Sequence, residues 1–307
     1  MLCSRAPGKI LLFGEHFVVK GEPALGLAVS LYVKTCIERG EGKIYSKQLG
    51  LIKPSSQHWP LFEAVFNSVE ARFGEIPRVD VVVDSEIPIS SGMGSSAATA
   101  VSLTHALLSF INVEFTKREV QEIAHEAEKT VHYRPSGVDT TLATHGGFLY
   151  YKQGVFKRLD LKLPANLAIV VVNTGIPRQT GVVVREVLER YERLGRIGEY
   201  IYRAAGEIVE NGIKAIENND IDKLGELMLV NHGLLWAMGA SSEECDKTVY
   251  ELIRLGAIGA KISGAGRGGI IIGLTRRENL EKIKSGLTAK KYEYYIVEPD
   301  YQGVTTI

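Results

Sequence analysis

The sequence predicts an α+β protein of about two domains. The chain has 307 residues, and a domain contains roughly 100–200 residues. Segments with the two-residue period of strands and segments with the 3.6-residue period of helices both occur, but they do not alternate strictly, which disfavours a doubly wound parallel sheet. The third observation is a count of 32 glycines, many of which lie in short runs between predicted elements.

The predicted strands lie in the first third of the chain and again in its second half. Each is a short segment with an alternating or continuous apolar pattern and many β-branched residues. They are Lys9–Gly14, Ala24–Arg39, Val79–Ser85, Leu167–Asn173, Ala260–Ser263, Ile270–Leu274 and Tyr292–Val297. We place a domain boundary between the two groups, which gives an N-terminal domain of residues 1–160 and a C-terminal domain of residues 161–307.

The predicted helices are placed by their start signals. Pro60 suits the first position of a helix, where its missing N–H is not needed. Thr116 with Glu119, and Ser241 with Glu244, have the spacing of capping boxes, in which each side chain bonds the backbone N–H of the other residue. The helices are Pro60–Phe73, Ser95–Phe110, Thr116–Lys129, Gln179–Arg193, Glu199–Asn218, Asp222–His232, Ser241–Leu255 and Arg277–Leu287.

The charge balance disfavours two classes of partner. Lys plus Arg and Asp plus Glu both number 36, so the formal net charge is zero. Nucleic acids and membrane surfaces both attract a surplus of positive charge. The sequence also lacks a run of about 18 apolar residues and the apolar segment of a signal peptide. We therefore expect a soluble, cytoplasmic protein with no nucleic-acid partner and no membrane partner.

The cysteines are few and far apart. Cys3, Cys36 and Cys245 are odd in number, and none forms a Cys-x-x-Cys pair. Small disulfide-stabilised domains carry many closely spaced cysteines. We therefore expect no disulfide framework and no cysteine-based metal or redox site.

The segment Pro88–Ala98, PISSGMGSSAA, carries the strongest functional signal. It joins a predicted strand to a predicted helix, and Gly92 and Gly94 allow positive φ angles and a close approach to a ligand. Ser95 and Ser96 follow at the helix start, where free N–H groups and the helix dipole attract anions. The segment predicts a phosphate cradle, and the alternative is a tight turn with serine caps.

A second glycine run, Lys261–Gly269, lies between two predicted apolar strands. It contains the pattern G-x-G-x-x-G, but in dinucleotide-binding folds that motif opens onto a helix. The sequence also lacks a P-loop and the signatures of protein kinases. The run predicts a loop whose backbone packs against another loop or a ligand, and the alternative is a loose hairpin.

Three ionisable residues interrupt an otherwise apolar N-terminal stretch. They are Lys9, Glu15 and His16. Buried charge is costly without a partner, so such residues tend to be functional or paired. Further along, Asp139 is a candidate proton acceptor for a hydroxyl group. The alternatives are a structural pair for Glu15 and His16 and a helix cap for Asp139.

Carboxylates on two predicted helices have either a metal-binding or a purely solvent-exposed interpretation. Glu126 and Glu128 end one helix, and Mg²⁺ needs only one or two carboxylates together with phosphate oxygens and water. The alternative is a solvated helix end. On a later helix, residues spaced by four, such as Glu186 and Arg190, predict ion pairs along a solvated face.

These segments together resemble the GHMP family of small-molecule kinases. The three family motifs occur in order as RAPGKILLFGEH at Arg5–His16, PISSGMGSSAA and KISGAGRGG. Within the family, SGVDTTLATHGG at Ser136–Gly147 and IPRQT at Ile176–Thr180 are most similar to the mevalonate kinases. The resemblance implies a two-domain GHMP kinase fold with the active site in the cleft between the domains. Arg267 stands where the third motif commonly has glycine.

The resemblance also implies roles for individual residues in an ATP-dependent phosphorylation of (R)-mevalonate in isoprenoid biosynthesis. Asp139 would be the catalytic base, or at least the carboxylate that orients the C5 hydroxyl of mevalonate, with Lys9 beside it. Ser96 and Glu128 would hold Mg²⁺. The nucleotide-binding residues would be Pro88, Ser91, Gly92, Met93, Gly94, Ser95, Ser96, Ala97 and Ala98. The substrate-binding residues would be Lys9, Glu15, His16, Asp139, Thr180 and Ala265.

Three further expectations follow from the resemblance. It implies a homodimer. The first alternative function is that of another GHMP kinase, acting on a sugar, a phosphosugar or a small acid. The second is a ligand sensor on the same fold without catalysis, which would not need Lys9, Ser96, Glu128 and Asp139 together.

Overall fold

Two β-sheets organise the structure, a computed structural model that describes residues 1–88, 91–131, 136–177 and 179–307. The first sheet contains β1 (Leu2–Phe13), β2 (Ala24–Arg39), β3 (Ile44–Ser46), β4 (Gly50–Ile52), β5 (Val79–Ser85), β6 (Phe148–Lys152), β7 (Val155–Leu159) and β12 (Thr305–Thr306). Their order is β12-β1-β2-β5-β3-β4, and β6 pairs with β2 and β7. The second sheet contains β8 (Leu167–Asn173), β9 (Gly259–Ser263), β10 (Ile270–Arg276) and β11 (Glu293–Val297). Its order is β11-β8-β10-β9, and every pairing in it is antiparallel.

The helices cover both sheets. They are α1 (Trp59–Phe73), α2 (Ser95–Phe110), α3 (Lys117–Glu128), α4 (Val138–His145), α5 (Thr180–Leu194), α6 (Arg196–Glu217), α7 (Ile221–Ala237), α8 (Glu243–Leu255) and α9 (Leu280–Ala289). The small buried side chains of α2 allow it to lie close against β1 and β2, while α7 and α8 pack on β9. None of the described helices is long and apolar enough to cross a membrane.

Strand β1 carries most of the first motif and contacts the second motif. Its pairing with β2 shifts register between Pro7 and Gly8. A Cβ atom on Gly8 would lie 3.1 Å from the carbonyl oxygen of Met93, so glycine permits this close approach. The next residue, Lys9, donates its backbone N–H to the same oxygen at 2.9 Å.

The α+β class is confirmed, and most long elements lie close to their predicted bounds. Two bounds are wrong, since β1 begins at Leu2, seven residues before the predicted Lys9, and α7 runs five residues past the predicted His232. The capping box of Thr116 and Glu119 is present. The box predicted at Ser241 and Glu244 is wrong, because Ser242 is the N-cap residue and accepts the N–H of Cys245. The hydroxyl of Ser241 donates to Asp246 instead.

The division into domains at residue 160 stays a prediction. The chain passes from the first sheet to the second between Leu159 and Leu167, which is close to the predicted boundary. At the end of the chain, β12 returns to the first sheet and pairs with β1 at Ser4 and Arg5. The last residues therefore join the sheet that the first residues begin.

The expectation about cysteines is wrong at one place. Cys3 and Cys36 are directly opposite each other on β1 and β2, and they form a disulfide. Their Cα atoms are 4.0 Å apart, because antiparallel pairing brings residues together regardless of their distance along the chain. Cys245 is free and buried.

We expect the disulfide to stabilise the first sheet measurably. Replacing Cys3 and Cys36 together by Ser should lower the free energy of unfolding by about 3–4 kcal/mol, because a closed loop of this length restricts the unfolded chain. Cys245→Ala is the matched control. Titration of the unfolded protein without reductant should find one thiol per chain, from Cys245, and three thiols would contradict the pairing.

Candidate active site

Lys9 and Asp139 form an ion pair between the first sheet and helix α4. The Nζ atom of Lys9 lies 3.4 Å from Oδ1 of Asp139. The Lys9 side chain is 10% exposed and that of Asp139 is 38% exposed. Asp139 is not a helix cap, since Gly137 is the N-cap residue of α4 and Asp139 lies in the first turn. The pair therefore combines a nearly buried cation with a carboxylate that a ligand can reach.

Gly94 lies against this pair at the start of α2. Its φ angle is +77°, and a Cβ atom there would lie 3.3 Å from Cγ of Lys9 and 3.6 Å from Oδ2 of Asp139. Gly94 is also the N-cap residue of α2, and no side chain among the described residues caps it. The serine-cap alternative is therefore wrong, and the first-turn N–H groups lack a side-chain partner of the kind that usually satisfies them.

Several other described residues of the second motif are buried. Ser91 donates its backbone N–H to the carbonyl of Pro88 at 3.3 Å. The buried members of the segment are Ser91, Met93, Ala97 and Ala98. The partly exposed described residues of the segment are Pro88, Gly92, Gly94, Ser95 and Ser96.

Ser96 and Glu128 join α2 to the end of α3. The hydroxyl of Ser96 donates to Oε1 of Glu128, which is buried. Glu126 is instead exposed and pairs with Lys129 at 2.7 Å, and this hydrogen bond lowers the pKa of Glu126. Among the described residues, no group of three or more His, Cys, Asp or Glu side chains is arranged to hold a metal ion. A hydroxyl and one carboxylate are nevertheless a donor set that suits Mg²⁺ beside phosphate oxygens.

His16 connects the first motif to the third. Its Nε2 atom donates to the carbonyl oxygen of Ala265 at 2.7 Å, and its Nδ1 atom has no partner among the described residues. Burial lowers the pKa of His16, the hydrogen bond to Ala265 opposes this, and the charge of Arg267 lowers it further. The ring is therefore expected to be neutral near pH 7, with Nδ1 as an acceptor.

Two family models match separate regions of the chain. A model of the GHMP kinases N terminal domain matches residues 60–147, and a model of the GHMP kinases C terminal region matches residues 213–293. A mevalonate kinase of Pyrococcus horikoshii is 37% identical over 294 residues, which cover 88% of this chain and 87% of the relative. The chain belongs to the GHMP kinase family. A mevalonate kinase of Archaeoglobus fulgidus is 34% identical over 99% of both chains.

A solved structure agrees with the fold of this GHMP kinase. L. major mevalonate kinase, crystallised with R-mevalonate, superposes with a TM-score of 0.83. The two are 29% identical, and the match covers 96% of this chain and 95% of the other. The second and third glycine motifs lie inside the two matched family regions, while the first motif precedes them.

One buried ion pair of this GHMP kinase was not predicted from the sequence. Lys261 donates to the carboxylate of Glu15, and both side chains are fully buried. Burial raises the pKa of Glu15 and lowers that of Lys261, while the charge of each partner opposes the shift of the other. Nearby, Ser263 accepts the backbone N–H of Leu11 at 2.8 Å. The sequence signal was present, since Lys261 begins the third motif, but its partner lies far away along the chain.

The remaining predicted residues are only partly described. The resemblance implies that Thr180 supports Asp139 and Lys9. Thr180 is the exposed first residue of α5, and within the described ranges no hydrogen bond joins it to either of them. Its role stays a prediction. Ile89 and Ser90 of the second motif, and Arg178 of the IPRQT segment, lie outside the described residues.

Proposed function

We propose that this GHMP kinase transfers the γ-phosphoryl group of ATP to the C5 hydroxyl of (R)-mevalonate. The observation that carries the proposal is the Lys9–Asp139 pair beside the uncapped start of α2. Relatives named mevalonate kinase, which match nearly the whole chain, support the substrate. The L. major enzyme crystallised with R-mevalonate supports it as well.

The proposed chemistry needs few groups. The hydroxyl oxygen of mevalonate forms a bond to the γ-phosphorus as the bond to the β-phosphate oxygen breaks, and ADP leaves. Asp139 accepts the hydroxyl proton, and Lys9 offsets the negative charge of the reacting oxygens. Phosphoryl transfer depends mainly on positioning and charge neutralisation, so a base, a cation and an anion cradle suffice.

The proposed nucleotide site is the start of α2. The N–H groups of its first turn and the positive end of its dipole favour phosphate oxygens. Ser96 and Glu128 would hold Mg²⁺, because together they offer the hydroxyl and carboxylate oxygens that this ion prefers. When bound, Mg²⁺ would neutralise charge on the β- and γ-phosphates.

The proposed mevalonate site lies around the third motif. His16 and Ala265 are hydrogen-bonded to each other there, and Glu15 is held by Lys261. These contacts place residues of the first and third motifs in one region of the molecule. The individual substrate contacts of Glu15, His16, Thr180 and Ala265 stay predictions.

Glu128→Gln is expected to weaken the use of Mg²⁺. The amide keeps the shape of the side chain but lacks the charge that attracts the ion, so the Mg²⁺ concentration for half-maximal activity should rise at least about tenfold. Glu126→Gln is the matched control, since Glu126 is exposed on the same helix and faces Lys129. Equal Mg²⁺ dependence in the two variants would contradict the metal assignment.

An ADP-release assay with (R)-mevalonate, galactose and homoserine tests the proposed reaction. Turnover of mevalonate alone is the expected result. Turnover of galactose or homoserine without mevalonate would overturn the substrate, and nucleotide binding without turnover of any of them would favour the sensor alternative. The assay therefore separates mevalonate phosphorylation from the phosphorylation of a sugar or a small acid, and all of these from nucleotide binding without turnover.

We also infer a homodimer from the resemblance to mevalonate kinases, and a cytoplasmic location from the lack of a signal-peptide pattern and of a long apolar run in the sequence. Light scattering on the purified protein measures the first, and a mass of one chain, 33.7 kDa, would contradict it. Fractionation of the source cells measures the second.

A further inference from the structure

Arg267 is an unusual residue at the tip of the third motif. Its φ angle is +50°, in the left-handed region that costs an L-residue free energy and that glycine adopts freely. Strained backbone of this kind persists only where surrounding contacts hold it. The contacts of Arg267 therefore indicate what the position does.

Among the described residues, three hydrogen bonds hold Arg267. Its backbone N–H donates to the carbonyl of Ala240 at 2.9 Å, and its Nε donates to the carbonyl of Gly239 at 2.8 Å. Its Nη1 donates to the carboxylate of Glu186. The side chain thus connects the glycine loop to two other elements, the turn before α8 and helix α5.

Glu186 lies on α5, two turns after the helix begins at Thr180. The sequence predicts that Glu186 pairs with Arg190, but this is wrong, because Glu186 turns to Arg267 while Arg190 donates to the carbonyl of Ala237. The glycine loop also holds the chain before Thr180, since Gly269 donates its N–H to the carbonyl of Ile176 at 3.0 Å. Thr180 therefore lies between two points at which this loop holds the chain.

The same loop carries groups of the proposed mevalonate site. Ala265 accepts the hydrogen bond of His16 at 2.7 Å. The positive charge of Arg267 also reaches His16, where it adds to the effect of burial in lowering the pKa of the ring. A change at Arg267 is thus close enough to affect this site, and the guanidinium contacts neither Lys9 nor Asp139 among the described hydrogen bonds and ion pairs.

We propose that Arg267 is a positioning residue for mevalonate. Its bonds to Glu186 and to Gly239 fix the start of α5, and with it Thr180, over the loop that carries Ala265. The proposal rests on the proposed function for its substrate, but the contacts that define it do not depend on that substrate.

Arg267→Gly and Glu186→Gln test the proposal. Glycine suits the left-handed backbone, so the first variant removes the guanidinium without adding strain. Each variant should raise KM for mevalonate about fivefold, the effect of one partly exposed charged contact, while KM for ATP stays within about twofold. The double variant should be no worse than Arg267→Gly, because both changes remove the same contact. Glu189→Gln, on the exposed side of the same helix, is the control.

Hydrogen exchange gives a readout that needs no substrate. The N–H groups of Val182 and Val183 bond to the carbonyl of Gln179 at the start of α5, and they should exchange faster in both variants than in the unchanged protein. Exchange in β8 should stay the same. An unchanged KM for mevalonate with unchanged exchange would overturn the proposal, and so would additive effects in the double variant.

The kinetic and the hydrogen-exchange measurements test the proposed function and the role of Arg267 separately. If the unchanged protein did not turn over mevalonate, the proposed function would fail, and exchange at Val182 and Val183 would still decide whether Arg267 fixes α5. If Arg267→Gly did not fold, Glu186→Gln alone would decide it, because that variant leaves the loop backbone unaltered.

Discussion

Asp139→Asn should lower kcat for mevalonate phosphorylation by about 10²–10⁴-fold, the contribution typical of a general base. Asparagine keeps the size and the hydrogen-bonding oxygen of the side chain but cannot take the hydroxyl proton. The binding of ATP should change little, because the proposed phosphate contacts are made by the loop before α2 and by the first turn of α2, and asparagine keeps the size of the Asp139 side chain beside Gly94. Steady-state kinetics with varied mevalonate and ATP, together with nucleotide-binding titration, measure both effects.

Asp84→Asn is the matched control for this variant. Asp84 also pairs with a lysine, at 2.6 Å from Lys47, and its side chain is as exposed as that of Asp139. Loss of an exposed pair of this kind has little effect on stability. Asp84 bonds Lys47 and Gln48, which are not residues of the described site, so kcat should stay within about twofold. A kcat for Asp139→Asn close to that of the control would remove the base role from Asp139.

The elements that were predicted well are those whose pattern is local. Strands β2 and β5 and helix α2 have the predicted bounds, because apolar periodicity and flanking turn residues decide such segments. Helix α4 was missed. It has only eight residues and Gly137 is its N-cap, and in the described part of the chain no side chain forms the cap that usually reveals a helix start.

The contacts that were not predicted join residues distant in sequence. Cys3 meets Cys36 through the register of β1 and β2, and Glu186 meets Arg267 through the packing of α5 on the glycine loop. Neither register nor packing can be read from spacing along one chain. The resemblance to a family predicts that Lys9 and Asp139 act together, and in the fold their charged atoms lie 3.4 Å apart. Their separation along the chain alone could not have indicated this contact.

Lys261→Met is expected to be the most destabilising of the substitutions considered. Lys261 and Glu15 are both fully buried and hydrogen-bonded to each other. Burial raises the pKa of Glu15 and lowers that of Lys261, so burial favours the uncharged form of each side chain. Removing one partner leaves the other buried without compensation, which typically costs about 3–5 kcal/mol. Chemical denaturation, followed by both fluorescence and circular dichroism, should show this loss. Lys284→Met removes an exposed pair with Glu281 and should change stability by less than about 1 kcal/mol.

The double variant Glu15→Leu, Lys261→Met separates the structural from the functional role of this pair. Replacing both members of a buried ion pair by apolar residues is often neutral or stabilising, so the double variant should recover most of the stability that Lys261→Met loses. If Glu15 contacts the substrate, the KM of the double variant for mevalonate should nevertheless be higher than that of the unchanged protein, because leucine offers no hydrogen-bond acceptor. Full recovery of both stability and KM would mean that the pair only joins the first motif to the third. A double variant no more stable than Lys261→Met would show that the loss does not come from an uncompensated Glu15.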